Sequence, residues 1–182
     1  MQLYQLKRCN IMEFKTFETE RLILKPTDKN DAAFILQLLN TPKWIAFIGD
    51  RNVTTVNDAE MYIENRMMPH LKRLGYGNYT MISKAGGHKV GTCGLYDREG
   101  LDGVDIGFAL LPEFEKQGYA LEGVSKLKDL AFSVFNLTSI SGITTKDNTA
   151  SQNLLLKIGL TFEKKVTLPN DPVELLLFKL SL

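Results

Sequence analysis

The 182-residue sequence predicts a mixed α/β fold: one domain on a single, largely antiparallel sheet of about seven strands, with about four helices. Three observations predict it. Strand-like and helix-like stretches interleave in the order strand, two helices, three strands, helix, strand, helix, two strands. The turn Ala85-Gly86-Gly87-His88 joins two alternating runs as a hairpin, so the front of the sheet is antiparallel. The run at 103–111 passes through a short loop into a long amphipathic segment and then into another strand-like run, a strand–helix–strand back half.

Each element has its own signal. Residues 21–25 (RLILK) alternate and end at Pro26. Residues 27–40 offer Asp28 or Asn30 as an N-cap, an apolar run, and Pro42 as a stop. A second helix begins near Thr55, with Thr55 and Asp58 at capping-box spacing. Ile63, Met67, Leu71 and Leu74 share one of its faces, and Pro69 is expected to kink or split it. Strands follow at 79–84, 89–96 and 104–111. In the helix beyond Gly118, residues Ala120, Val124, Leu127, Ala131 and Val134 form a core-facing stripe. A strand near 138–145, a helix at 149–158 ended by Gly159, and two strands at 161–168 and 173–182 complete the chain. Residues 1–13 read as an N-terminal extension, with Met12 an alternative start, and residues 14–182 as the domain.

Composition narrows the function. Hydrophobic residues make up 44% and charged residues 24%, and the formal net charge is +1, which argues against general affinity for nucleic acid or acidic membranes. Cys9 and Cys93 lie far apart and His70 and His88 are isolated, so no metal site is expected. No secretory signal or apolar run of membrane-spanning length is evident, and a cytoplasmic protein, monomer or homodimer, is the expectation.

The most informative segment is 112–122 (PEFEKQGYALE), between a strand and a long helix. Gly118 and Ala120, two apart at this junction, leave backbone N–H groups uncovered at the positive end of a helix dipole. That arrangement suits a phosphate or pyrophosphate. A dinucleotide-type site is a weaker reading, because the glycine fingerprint is incomplete and the preceding strands are hairpin-linked.

Residues 19–26 (TERLILKP), 105–123 (DIGFALLPEFEKQGYALEG) and 148–160 (NTASQNLLLKIGL), in this order of elements, resemble the GNAT superfamily of acyl-CoA-dependent N-acetyltransferases, and within it the RimJ/RimL-type branch. The likeness runs over nearly the whole chain. In the superfamily's Q/R-x-x-G-x-G/A loop, Glu115 stands at the first place here, a carboxylate near the expected phosphates that must point away to be tolerated. The resemblance implies a centrally splayed sheet, with a bulge in the strand at 104–111 assisting the splay. It implies acetyl-CoA as co-substrate, its pyrophosphate over Lys116, Gln117, Gly118, Tyr119, Ala120 and Leu121. The pantetheine arm would lie along residues 108–111, including Phe108, Ala109 and Leu110.

Acetyl transfer requires a neutral amine, a positioned thioester and a proton for the departing thiolate. By the resemblance, Asp105 is the base candidate, with a solvent-facing acid on an alternating strand as the alternative. Ser151 is the acid candidate, or else a first-turn capping residue. Asn148 is an N-cap, a pantetheine ligand, or both. Trp44, Phe47, Asp50 and Arg51, between the first two helices, border the acceptor cleft in this fold, although Trp44 and Phe47 equally suit core cover. Cys93 reads as a buried small hydrophobe. The acceptor is a protein N-terminus or a small-molecule amine. The reading from another class is a non-catalytic acyl-CoA-binding module.

Overall fold

A computed structural model describes residues 14–169 and 171–182. The expected extension over residues 1–13, with Cys9 and Met12, lies outside the described residues. The elements in order are β1 (Phe17–Glu18), β2 (Leu22–Pro26), a 3-10 turn (Lys29–Asp31), α1 (Ala32–Leu39), α2 (Pro42–Phe47) and α3 (Val56–Tyr62). A π-helical turn (Ile63–Met67), α4 (Met68–Leu74), β3 (Asn78–Ser83), β4 (Lys89–Asp97) and β5 (Val104–Leu110) follow. The chain closes with a second 3-10 turn (Pro112–Phe114), α5 (Tyr119–Ser133), β6 (Ser139–Thr145), α6 (Thr149–Lys157), β7 (Thr161–Thr167) and β8 (Glu174–Ser181).

The strands form one sheet in the order β1-β2-β3-β4-β5-β6-β8-β7, antiparallel except between β5 and β6. The expected mixed fold is present, with one strand more than the sequence suggested and, taking α3, the π-helical turn and α4 as one continuous helix, one helix more. The extra strand, β1, is a two-residue pairing of Phe17 with Leu24 and Glu18 with Ile23, too short to leave a periodicity. The extra helix, α2, begins at Pro42, which stands just beyond the end of α1 at Leu39 and so is both the expected stop and the start of the next helix. Thr41 caps it, its Oγ1 accepting from the Trp44 N–H, and Pro42 occupies the first turn, where its missing N–H costs nothing.

Helices cover both faces. On one, Val124, Leu127 and Ala131 of α5 meet Leu22, Leu24, Met81, Leu95 and Ile106 in a continuous core, with Leu155 of α6 included. Val134 does not belong to this stripe: it caps the helix and is exposed. On the other face Ile35, Leu38, Ala59, Ile63 and Met67 of the first helices pack together with Leu111 at the end of β5. Thr55 and Asp58 make the expected capping box, and Pro69 follows the π-helical turn, where its lack of an N–H is accommodated.

A buried polar knot ties the first helix to the sheet. Asp31, with no exposed surface, pairs with Lys25 (2.9 Å) and Lys89 (2.7 Å) and accepts from Thr80 Oγ1 (3.1 Å). Burial alone would raise its carboxyl, but these lysines and the Asp28 backbone hold it below the usual aspartate value.

Candidate active site

The site begins where two parallel strands separate. β5 and β6 pair only at Val104–Ile140 and Asp105–Ser141, and beyond that point they diverge. The pairing of β5 with β4 is regular from Gly91–Leu110 to Asp97–Val104. The bulge expected in β5 is therefore not in this ladder. The irregularity lies instead between β3 and β4, where the register shifts between Met81 and Ile82.

At the open end of the wedge lies a cleft of about 330 Å³ lined by Leu110, Lys116, Gly118, Ala120 and Leu121 on one side. The α6 residues Ala150, Asn153, Leu154 and Lys157 line the other. Five of the cofactor residues expected from sequence thus share one cavity. Phe108, Ala109, Gln117, Tyr119 and Asn148 do not line it. Asn153 and Lys157 were missed, although 150, 153, 154 and 157 fall on one helical face and so were legible by spacing.

The geometry of the turn suits an anion. Lys116 and Gly118 both take positive φ (57° and 84°), and Gly118 caps α5 with no side-chain acceptor over its first turn. The first helical bond there runs from the Glu122 N–H to the Gly118 carbonyl. The N–H groups from Lys116 to Leu121 find no acceptor among the described residues, and they sit at the positive end of a 15-residue helix. Glu115 turns away from this turn and pairs with Lys43 of α2, which meets the requirement set by the sequence. Lys116 and Lys157 add positive charge on both walls of the cleft.

Below the turn, Glu122 accepts from Thr19 Oγ1 (2.5 Å), the Arg21 N–H (2.8 Å) and Arg21 Nε (2.6 Å). Burial alone would raise this carboxyl, yet those bonds take it below the usual glutamate value. Arg21 also donates to the Gln117 carbonyl (3.0 Å) and stacks over Tyr119, 4.7 Å from the ring centre.

Asp105 is not a solvent-facing acid. It is 1% exposed, because a strand central to a sheet covered on both faces has no wet side. It shares the parity of Ala109, on the side of the α1–α4 core. Its Oδ2 accepts from Arg98 Nε (2.9 Å) and Nη2 (2.8 Å). Burial pushes its carboxyl above the usual aspartate value, with Arg98 pulling the other way. Tyr96, its direct partner on β4, lays its ring against Gly94 and Gly107 and donates to Asn78 Oδ1 (2.5 Å).

Asn148 caps α6, its Oδ1 accepting from the Ser151 N–H (3.1 Å). Ser151 is half-buried beside cleft-lining Ala150, and its hydroxyl has no hydrogen-bond partner among the described residues. Trp44 packs in the α1–α4 core, its Nε1 without an acceptor among the described residues. Phe47 is exposed, Asp50 accepts from the Asn52 N–H (2.8 Å), and Arg51 donates to the Ile48 carbonyl (3.0 Å). None of these four lines the cleft. Cys93 is fully buried and its thiol is pushed up to about 12, which removes it as a nucleophile at neutral pH.

Comparison with known proteins shows the family and the fold. The family described as "Acetyltransferase (GNAT) domain" matches residues 21–161. The chain belongs to this family. This GNAT acetyltransferase is 31% identical over 154 residues to the uncharacterized N-acetyltransferase p20 of Bacillus licheniformis, covering 83% of this chain and 84% of p20. It is 28% identical over 153 residues to the uncharacterized N-acetyltransferase YoaA of Bacillus subtilis (strain 168), 84% of this chain and 85% of YoaA. Its fold is that of an acetyltransferase crystal structure from Agrobacterium tumefaciens str. C58, with TM-score 0.78 and 21% identity over 100% of this chain and 99% of that one. Among the described residues, no helix of the GNAT chain is long and apolar enough to cross a membrane, and no group of three or more His, Cys, Asp or Glu is placed to hold a metal ion.

Proposed function

We propose that this chain transfers the acetyl group of acetyl-CoA to a primary amine by direct attack, with a protein N-terminal α-amine as the favoured acceptor and a small-molecule amine as the alternative. The reading rests on the cleft at the parting of β5 and β6, where unpartnered amides of the 116–121 turn meet Lys116 and Lys157. The donor set fits a diphosphate: neutral backbone N–H groups, a helix N-terminus, two cations, and the local carboxylates Glu115 and Glu122 both neutralised by partners.

The nitrogen–carbon bond forms as the carbon–sulfur bond breaks, so one proton leaves the amine and one reaches the thiolate. Asp105, directly or through water, takes the first; Ser151, with its free hydroxyl beside the cleft, gives the second. Asp105 is held by Arg98 and is a modest base. At pH 7 a lysine-type amine costs about 4 to 5 kcal/mol to deprotonate, and an α-amine about 1 to 1.5 kcal/mol. A weak base therefore favours the α-amine. The segments TERLILKP and N-x-x-S…K-I-G-L support placement in the RimJ/RimL-type branch, consistent with that acceptor.

The neutralisation of Asp105 by Arg98 also favours a second reading, a non-catalytic acyl-CoA-binding module. Release of free thiol from acetyl-CoA, measured against a panel of N-terminal peptides, polyamines and amino sugars, separates the two. Turnover with any amine supports the enzyme. Tight binding of acetyl-CoA without turnover for any of them supports the module, and no calorimetric binding of acetyl-CoA refutes both.

A further inference from the structure

We infer that Arg21 is a positioning residue for the phosphate-binding turn: it fixes the orientation of the Gln117–Gly118 peptide and so aims the Gly118 N–H at the ligand. The inference rests on the diphosphate seat proposed above.

In a trans peptide the carbonyl and the N–H point in opposite directions. Arg21 Nη1 holds the Gln117 carbonyl at 3.0 Å from outside the cleft, so the Gly118 N–H of the same peptide is turned away from Arg21. Gly118 lines the cleft and Arg21 does not. The peptide needs such a hold. Gly118 has φ +84°, and glycine accepts either sign of φ, so this peptide has little intrinsic reason to keep one face forward. A flipped peptide would present a carbonyl oxygen to an anion.

Arg21 is itself rigidly placed. Its Nε and backbone N–H both bond the Glu122 carboxylate, which Thr19 Oγ1 also holds, and its guanidinium lies over Tyr119. Its Nη2 lies 3.1 Å from where a Cβ on Gly118 would be, which leaves the turn little room on that side. The planar fork lets one side chain grip a carboxylate and a carbonyl at once, which an ammonium cannot do with the same geometry. Residues 19–21 form the turn between β1 and β2, and the phosphate-binding turn lies about a hundred residues later, so the contact is invisible to local sequence patterns.

The test uses the full chain and two thioesters, acetyl-CoA and S-acetyl-pantetheine, which lacks the diphosphate. Binding of each is measured by calorimetry for wild type, Arg21→Met and Arg21→Lys, with thermal midpoints alongside. Arg21→Met is expected to weaken acetyl-CoA on the order of ten- to a hundredfold while leaving S-acetyl-pantetheine unchanged. Arg21→Lys keeps a cation for Glu122, which protects the fold, and is expected to show the same selective loss in smaller measure. Equal loss for both thioesters, or none for either, overturns the inference, because a merely structural role does not distinguish them. A lysine variant that folds as wild type and keeps full discrimination also overturns it. If the wild type itself does not prefer acetyl-CoA over S-acetyl-pantetheine, the diphosphate seat fails, and that result is separable because it appears without any substitution.

Discussion

Replacing Arg98 by Met isolates the ion pair at the base candidate. Asp105 is 1% exposed and its Oδ2 receives both bonds of the Arg98 fork, at 2.9 and 2.8 Å. Removing one partner of a buried pair costs roughly 3 to 5 kcal/mol when the remaining charge has no escape. Asp105 has one, since it can take up a proton. Starting from an aspartate value of about 3.9, that costs about 4 kcal/mol at pH 7, which caps the loss, and each lower pH unit returns about 1.4 kcal/mol. Arg98 is over a third exposed at its side chain, so water replaces part of what it provided, and the expected deficit at pH 7 is about 2 to 4 kcal/mol. The sign follows from linkage. A carboxyl with a raised folded value binds a proton that the unfolded chain does not, so stability falls as pH rises from the ordinary aspartate value to the raised one. In the variant that window widens. Urea denaturation of both proteins at pH 5 and pH 7 should show a deficit about 2 kcal/mol smaller at the lower pH. The acidic limb of kcat/KM should move to higher pH in the variant if Asp105 accepts the amine proton. An identical deficit at both pH values would refute the electrostatic reasoning and leave Arg98 as a packing residue.

Gly118→Asp places a Cβ 3.1 Å from Arg21 Nη2, forces a left-handed conformation costing about 1 kcal/mol, and puts a negative charge at the anion seat. The KM for acetyl-CoA should rise by at least about tenfold in initial-rate kinetics, with the thermal midpoint moved only slightly. Ser151→Ala should lower kcat about a hundredfold with little change in the KM for acetyl-CoA, since the hydroxyl makes no structural bond among the described residues. Asp31→Asn should cost about 3 kcal/mol by denaturant titration at pH 7. Because Asp31 is held below its usual value, its contribution is complete at neutral pH and lost as pH falls through the folded value, so the variant should show a shallower acid-side decline.

Features set by neighbouring residues are legible in the sequence, and partners distant along the chain are not. The Thr55–Asp58 capping box and the glycine turn at 85–88 depend on residues a few positions apart, and both stand where the sequence puts them. Pro42 stands just past the end of α1 as expected, but it hid α2, because a proline that ends one helix serves equally at the first turn of the next. Of the two readings of Asp105, the outward acid on an alternating strand fails, because alternation marks an outside only when one face is bare, and here both are covered. Arg98 sits just past the end of β4, where no periodicity singles it out. Glu115 seemed an unanswered charge because its partner, Lys43, lies 72 positions earlier. Lys157 was available by counting along α6 from Ala150, and its side of the cleft could have been named.

β5 and β6 pair at only two register positions, so the sheet consists of two halves hinged at Ser141. Past that hinge, the facing edges of residues 106–110 and 142–145 are each without a neighbouring strand. An extended ligand arm seated between them would complete both ladders and stitch the halves into one continuous slab. Deuterium uptake along these two stretches would then slow on binding even an inert thioether analogue of acetyl-CoA, reporting occupancy of the wedge before any amine has been found.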